Sequence, residues 1–163
     1  MIGPLVRRAT PRDLTRAAEL AGKLARMHHE TDPARFFLPE RVEQGYAWWF
    51  ERVLADTDAV LLVAEVEQNL VGYAYGGLEE RDWNLLLDEH GAIHDVYVDD
   101  ATRRHGVGRA LVGAMLAELE QLGAERVVLS TMPTNLAAQG LFKSFGFRVT
   151  FLEMTRNRTP GTS

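Results

Sequence analysis

Apolar and polar positions follow two rhythms along this chain. Leu14, Ala17, Ala18, Ala21, Leu24, Ala25 and His28 recur every three or four residues, the spacing of one helix face, and predict a helix running to about His29. Thr10-Pro11-Arg12-Asp13 ahead of it is a start signal: Thr can cap, Pro needs no amide hydrogen in the first turn, and Asp faces the positive end of the helix. Val42, Tyr46, Trp49, Phe50 and Val53 place a second helix over 39–54. Val107, Leu111, Met115, Leu119 and Leu122 predict the clearest helix, over 106–122, with Gly123 ending it. A fourth is expected over 135–145.

The second rhythm is that of strands. Residues 59–66 are nearly all apolar and rich in β-branched side chains, as in a strand covered on both faces. A tight turn at 67–70 returns the chain as a partner strand over 71–78. Further strands are expected over 5–9, 91–99, 125–131 and 147–155, with one helical turn within 82–89. Two helices lie between strands in the second half, so the order predicts an α/β protein with a sheet of mixed direction. No linker interrupts residues 1–155, read as one domain, and 156–163 form a polar tail.

Composition narrows the possibilities. With 163 residues and 46% apolar content the chain can build a real core. Eighteen Lys and Arg against 23 Asp and Glu give a net charge of −5, which argues against general nucleic-acid binding. There is no cysteine, so disulfides, Cys-ligated zinc and a thiol nucleophile are excluded. The longest charge-free stretch, Val127–Phe142, holds too many polar residues to span a bilayer, and the start lacks the order of a secretory signal. A cytoplasmic protein without membrane partners is expected. His90 and His94 are four apart, but Gly91 and the strand reading deny them a shared helix face, so no metal is expected.

The chemistry concentrates in residues 96–109. A strand ends, a basic loop follows, and Gly106 and Gly108 open the long helix. A helix start leaves amide N–H groups unpaired and carries partial positive charge. Glycines let a ligand approach that backbone, and Arg103, Arg104 and Arg109 add full charges. This suits a phosphate or pyrophosphate. A dinucleotide fingerprint fails because Leu111 stands where the third glycine belongs; a Walker loop fails because Arg109-Ala110 follows Gly108.

Arg103-x-x-Gly106-x-Gly108 resembles the pyrophosphate loop of the GNAT N-acetyltransferases. Asn135-x-x-Ala138-x-x-Leu141-Phe142-x-x-x-Gly146-Phe147 resembles a second block of that family, and Val6-Arg7-Arg8-Ala9-Thr10-Pro11-x-Asp13-Leu14 its opening. The resemblance implies a mixed, mostly antiparallel central sheet of six to seven strands flanked by about four helices. It implies acetyl-CoA as co-substrate and direct attack by an amine. Val96, Tyr97 and Val98 would line the pantetheine arm. Arg103, Arg104, His105, Gly106, Val107, Gly108 and Arg109 would hold the pyrophosphate, with Asn135 and Phe142 near the thioester. A homodimer is the family default.

Two departures from the family pattern bear on catalysis. Phe142 stands where many members carry a Tyr able to protonate the leaving thiolate; Tyr97, Tyr73, Tyr75 and Ser144 are candidate replacements. Ser130 stands where members acting on protein N-termini tend to carry Glu. His94 falls where polyamine-acetylating members place a base-like Glu, and imidazole can take a proton from an ammonium at neutral pH. In an ideal strand His94, Val96 and Val98 share one face; Asp95 points away unless a bulge intervenes, and is kept as an orienting or substrate-binding candidate. A small-molecule primary amine, polyamine-like or amino-acid-like, is the expected acceptor. An acyl-CoA sensor and a protein lysine acetyltransferase are the alternatives.

Overall fold

A computed structural model describes residues 3–160. One five-stranded sheet organises them, with strands in chain order: β1 (Leu5–Arg8), β2 (Ala59–Val66), β3 (Asn69–Glu79), β4 (His90–Val98) and β5 (Val127–Leu129). Neighbours from β1 to β4 run antiparallel, and β5 joins β4 in parallel. Helices α1 (Leu14–Thr31) and α2 (Val42–Ala55) precede β2; α3 (Val107–Gln121) links β4 to β5, and α4 (Leu136–Ser144) follows.

The alternation of β2 explains the layering. Leu61 and Val63 pack with Ala17, Leu20, Leu24, Phe50 and Val53 of α1 and α2. Val60, Leu62 and Ala64 pack with Val107, Leu111, Met115 and Leu119 of α3 on the other side. Both faces are covered, which is why this run carries no polar residue before Glu65.

The entry to α1 is held by charge. Asp13, the buried acid of this layer, accepts from the Thr10 amide at 2.7 Å and takes a two-pronged ion pair from Arg7 at 2.8 and 3.0 Å. Pro11–Asp13 form a short 3-10 turn rather than the first turn of α1.

Two expectations are corrected. Residues 82–89 contain no helix; Asp82 and Leu87 bridge across a turn instead. Residues 147–155 form no strand, so the sheet has five strands rather than six or seven. A strand needs a partner ladder as well as apolar composition, and this segment is drawn elsewhere. Gly146 turns the chain with a left-handed backbone (φ +90°), and Phe147 packs on Phe142. Further on, Glu153 pairs with Arg35, and Asn157 donates to the Ala34 carbonyl. The segment thus passes from α4 to the loop between α1 and α2, leaving Val149, Phe151, Leu152 and Met154 exposed.

Candidate active site

The site begins with a fork in the sheet. β4 pairs with β5 only from Gly91 to Ile93, opposite Val127–Leu129, while it stays paired with β3 as far as Val98 opposite Gly72. Beyond Ile93 the β5-side edge of β4 carries no ladder among the described residues. Val96 and Val98 therefore turn their main-chain groups toward the opening, where the Val98 carbonyl accepts from Arg103 Nε at 3.4 Å, while the alternate residue Tyr97 faces Tyr73 of β3.

The loop ahead of α3 faces the same opening. Arg104 and Gly106 both adopt left-handed backbone (φ +67° and +79°). The first α3 bond runs from the Ala110 amide to the Gly106 carbonyl, so the amides of 107–109 have no helical acceptor. A Cβ added at Gly106 would meet no protein atom within 4 Å, so the space above it is open; one at Gly108 would touch Leu141 at 3.4 Å. Gly108 thus serves close packing of α3 on α4 and Gly106 serves backbone shape. Among the basic side chains, Arg103 pairs with Asp100 at 2.8 Å and lies over the Tyr97 ring. His105 Nδ1 is 3.0 Å from the Arg103 carbonyl. Arg109 turns toward α4, donating to Ser144 Oγ at 3.0 Å and stacking on Phe145. The loop amides are left without a protein acceptor, whereas Arg109 is engaged with α4.

On α4, Asn135 Oδ1 accepts the Ala138 amide at 3.1 Å and caps the helix, so only its Nδ2 is left to donate. Phe142 is a half-buried apolar wall against Phe147. Ser144, a candidate acid, is engaged with Arg109 and with the Leu141 carbonyl. Tyr97 is also a weak candidate: it is buried in the core against α1, and burial raises its pKa, with Asp100 adding to the effect.

At the fork β4 carries a bulge. Tyr75 pairs with Asp95 and Gly76 with Ile93, leaving His94 as the extra residue. A Cβ at Gly76 would lie 2.4 Å from the Ala92 carbonyl, so glycine permits the irregularity. The bulge turns His94 away from the face of Val96 and Val98, contrary to the ideal-strand expectation. Both His94 and Asp95 reach the α1–α2 side. His94 stacks on Tyr75, with ring centroids 4.9 Å apart, and its Nε2 is 2.8 Å from Glu79 Oε1. Asp95 accepts from the Tyr73 hydroxyl at 3.0 Å. Its carboxylate is half-exposed yet crowded by protein; burial raises its pKa above the usual carboxylate value, against the lowering effects of Tyr73, His94 and His28.

Beside these residues lies a cavity of about 340 Å³ between α1, the 32–41 loop and α2. His28, the last residue of the helical rhythm read for α1, lines it; burial lowers its pKa, while Asp95 opposes that. Tyr46 and Trp49 form further walls, and burial together with Asp95 pushes the Tyr46 hydroxyl up to about 12. On the same helix Phe50 is core, while Trp48 and Trp49 both keep an exposed face. The cavity as a whole is not legible in the sequence because its walls come from three segments; the helical spacing of Tyr46 and Trp49 is the available signal.

A forked sheet thus lies beside open amides at the head of a helix, with a carboxylate at the bulge and a cavity between α1 and α2. Residues 23–147 match the acetyltransferase (GNAT) family, and the chain belongs to it; it is an N-acetyltransferase. It is 31% identical over 119 residues to an N-alpha-acetyltransferase of Sulfurisphaera tokodaii, covering 70% of each chain. A mutant of the BH1408 protein of Bacillus halodurans superimposes with a TM-score of 0.81 at 19% identity, over 95% of this chain and 99% of that one. An acetyltransferase of Clostridium acetobutylicum solved with acetyl-CoA superimposes with a TM-score of 0.71 at 16% identity, over 93% and 96% of the two chains. Among the described residues no helix is long and apolar enough to cross a membrane.

Proposed function

We propose that this protein, through a domain spanning 1–155, transfers an acetyl group from acetyl-CoA to the primary amine of a small molecule. The observation that carries the reading is the fork between β4 and β5, which opens onto the bulge at His94 and Asp95. The residues present fit the co-substrate. The β4 edge at Val96 and Val98 suits an amide-bearing arm, the amides of 107–109 with Arg103 and Arg104 suit a diphosphate, and Phe142 suits an apolar end. When bound, acetyl-CoA supplies an acetyl thioester, which an uncharged amine converts to an amide with release of the thiol.

The chain's own residues handle the proton. An amine arrives as an ammonium, and Asp95, supported by the Tyr73 hydroxyl, accepts one proton from it. His94, oriented by Glu79 at the rim, relays that proton outward. Cysteine is absent, which favours direct attack over a covalent acyl-enzyme.

Thiol release from acetyl-CoA over a panel of amines and peptides tests the proposal. Turnover on free amines and not on lysine peptides supports it. Binding of acetyl-CoA without release above hydrolysis favours a sensor; turnover on lysine peptides alone favours a protein modifier. The exposed apolar side chains at 149–154 support a homodimer, which light scattering of the purified protein checks.

A further inference from the structure

The cavity between α1 and α2 has a chemistry of its own. Its walls are rings, from His28, Phe36, Phe37, Tyr46 and Trp49. Its size falls within the roughly 300–1,000 Å³ of small-molecule pockets. Charge is divided across it. Arg35 also lines the cavity, lying over the Phe36 ring at 4.7 Å and held by Glu153 at 2.5 and 2.9 Å. Negative charge lies toward the sheet: Asp95 holds the Tyr73 hydroxyl at 3.0 Å and the Tyr73 ring packs through Phe50 on Tyr46, while Glu79 holds His94, whose ring stacks on Tyr75, edge-on to Trp49 at 6.4 Å.

This division selects among amines. A polyamine seated with one ammonium at Asp95 would bring further positive charge toward Arg35, with apolar rings between. A many-hydroxyl sugar amine would leave its hydroxyls against those rings without partners. A single ammonium on an apolar body satisfies both ends: ring faces and a carboxylate favour the cation, and burial favours the body.

Resting on the acetyltransferase reading above, we infer that the acceptor is a monoamine on an apolar body of aromatic-ring size, with the body in the ring-walled cavity and the ammonium at Asp95. This is a narrower class than the polyamine-like or amino-acid-like amine expected from sequence.

The test separates binding from turnover. 2-Phenylethylamine, its uncharged counterpart 2-phenylethanol and spermidine are titrated calorimetrically into the full chain, with and without saturating coenzyme A. The same two amines are then compared as acceptors of acetyl-CoA. We expect 2-phenylethylamine to bind about tenfold or more tightly than 2-phenylethanol, the range for one charged hydrogen bond. Asp95→Asn should erase that difference, and Trp49→Ala should weaken both ligands, each variant being checked for native circular dichroism. In turnover 2-phenylethylamine should exceed spermidine about tenfold in kcat/KM. Tighter binding or faster turnover of spermidine overturns the inference, as do affinities unmoved by Trp49→Ala. Tight, Trp49-dependent amine binding without thiol release would sustain the cavity assignment and overturn the proposed transfer to a small-molecule amine instead.

Discussion

Asp95 is where a single residue carries the most consequence. Burial raises its pKa, so it holds a proton more readily in the folded chain than in the unfolded one. By linkage it lowers stability as pH climbs from the unfolded carboxylate value through the raised folded value. Asp95→Asn, which keeps an acceptor for the Tyr73 hydroxyl, should therefore hold or raise the thermal midpoint at pH 7 while cutting kcat about 100-fold or more. As a base Asp95 must be ionised, so wild-type turnover should fall as pH drops through its raised pKa, and the variant should lose that acidic limb in a pH–rate profile. His28, Tyr46, Tyr73 and His94 surround the group and shape the limb. His94→Ala should lower turnover yet leave the limb in place. Both His94 and Asp95 were legible as candidates from their place before the basic loop. Their shared direction was not, because the bulge depends on Gly76 of a strand reached through a separate turn.

Among the elements, the start of α1 and the start of α3 make opposite demands. Asp13 is held down to about 2, first by Arg7, with the Thr10 amide and hydroxyl also favouring its charged form. A depressed carboxylate contributes stability above its unfolded pKa and loses it as pH falls toward the folded value. The shift corresponds to about 2 kcal/mol. Asp13→Asn should lose about that much at pH 7 in urea unfolding, and the gap from wild type should close as pH falls from about 4 toward 2. At α3, Gly106 holds φ +79° with open space above it. Gly106→Ala costs only backbone strain, about 1 kcal/mol, and no clash. Coenzyme A affinity should fall several-fold by calorimetry with little change in thermal midpoint; an equal loss of both would mean that the loop merely props the helix. Helices and strands with strong periodicity could be read to within a few residues, β2 at its observed bounds, Ala59–Val66. The 147–155 stretch misled because apolar composition says nothing about where a pairing partner stands.

Taken whole, the molecule divides its work across the sheet. On the proposed reading the co-substrate side would rest on β4, α3 and α4, all marked by short motifs in the sequence. The acceptor side is assembled from α1, α2 and the loop between them, whose ring side chains lie far apart in the chain, so only the fold shows them as one space. Its outer wall is tied by Arg35 and Glu153, an exposed ion pair that solvent screening leaves weak. Such a tether yields to ionic strength, whereas the amides at the head of α3 belong to a rigid helix start. The two substrates should therefore respond differently to added salt once screening of the coenzyme's own charge is allowed for. Glu153→Gln offers the salt-free counterpart, and should change the acceptor KM while leaving the acetyl-CoA KM alone. Choice of amine can then be retuned from the far end of the polypeptide, by residues that never meet the reacting atoms.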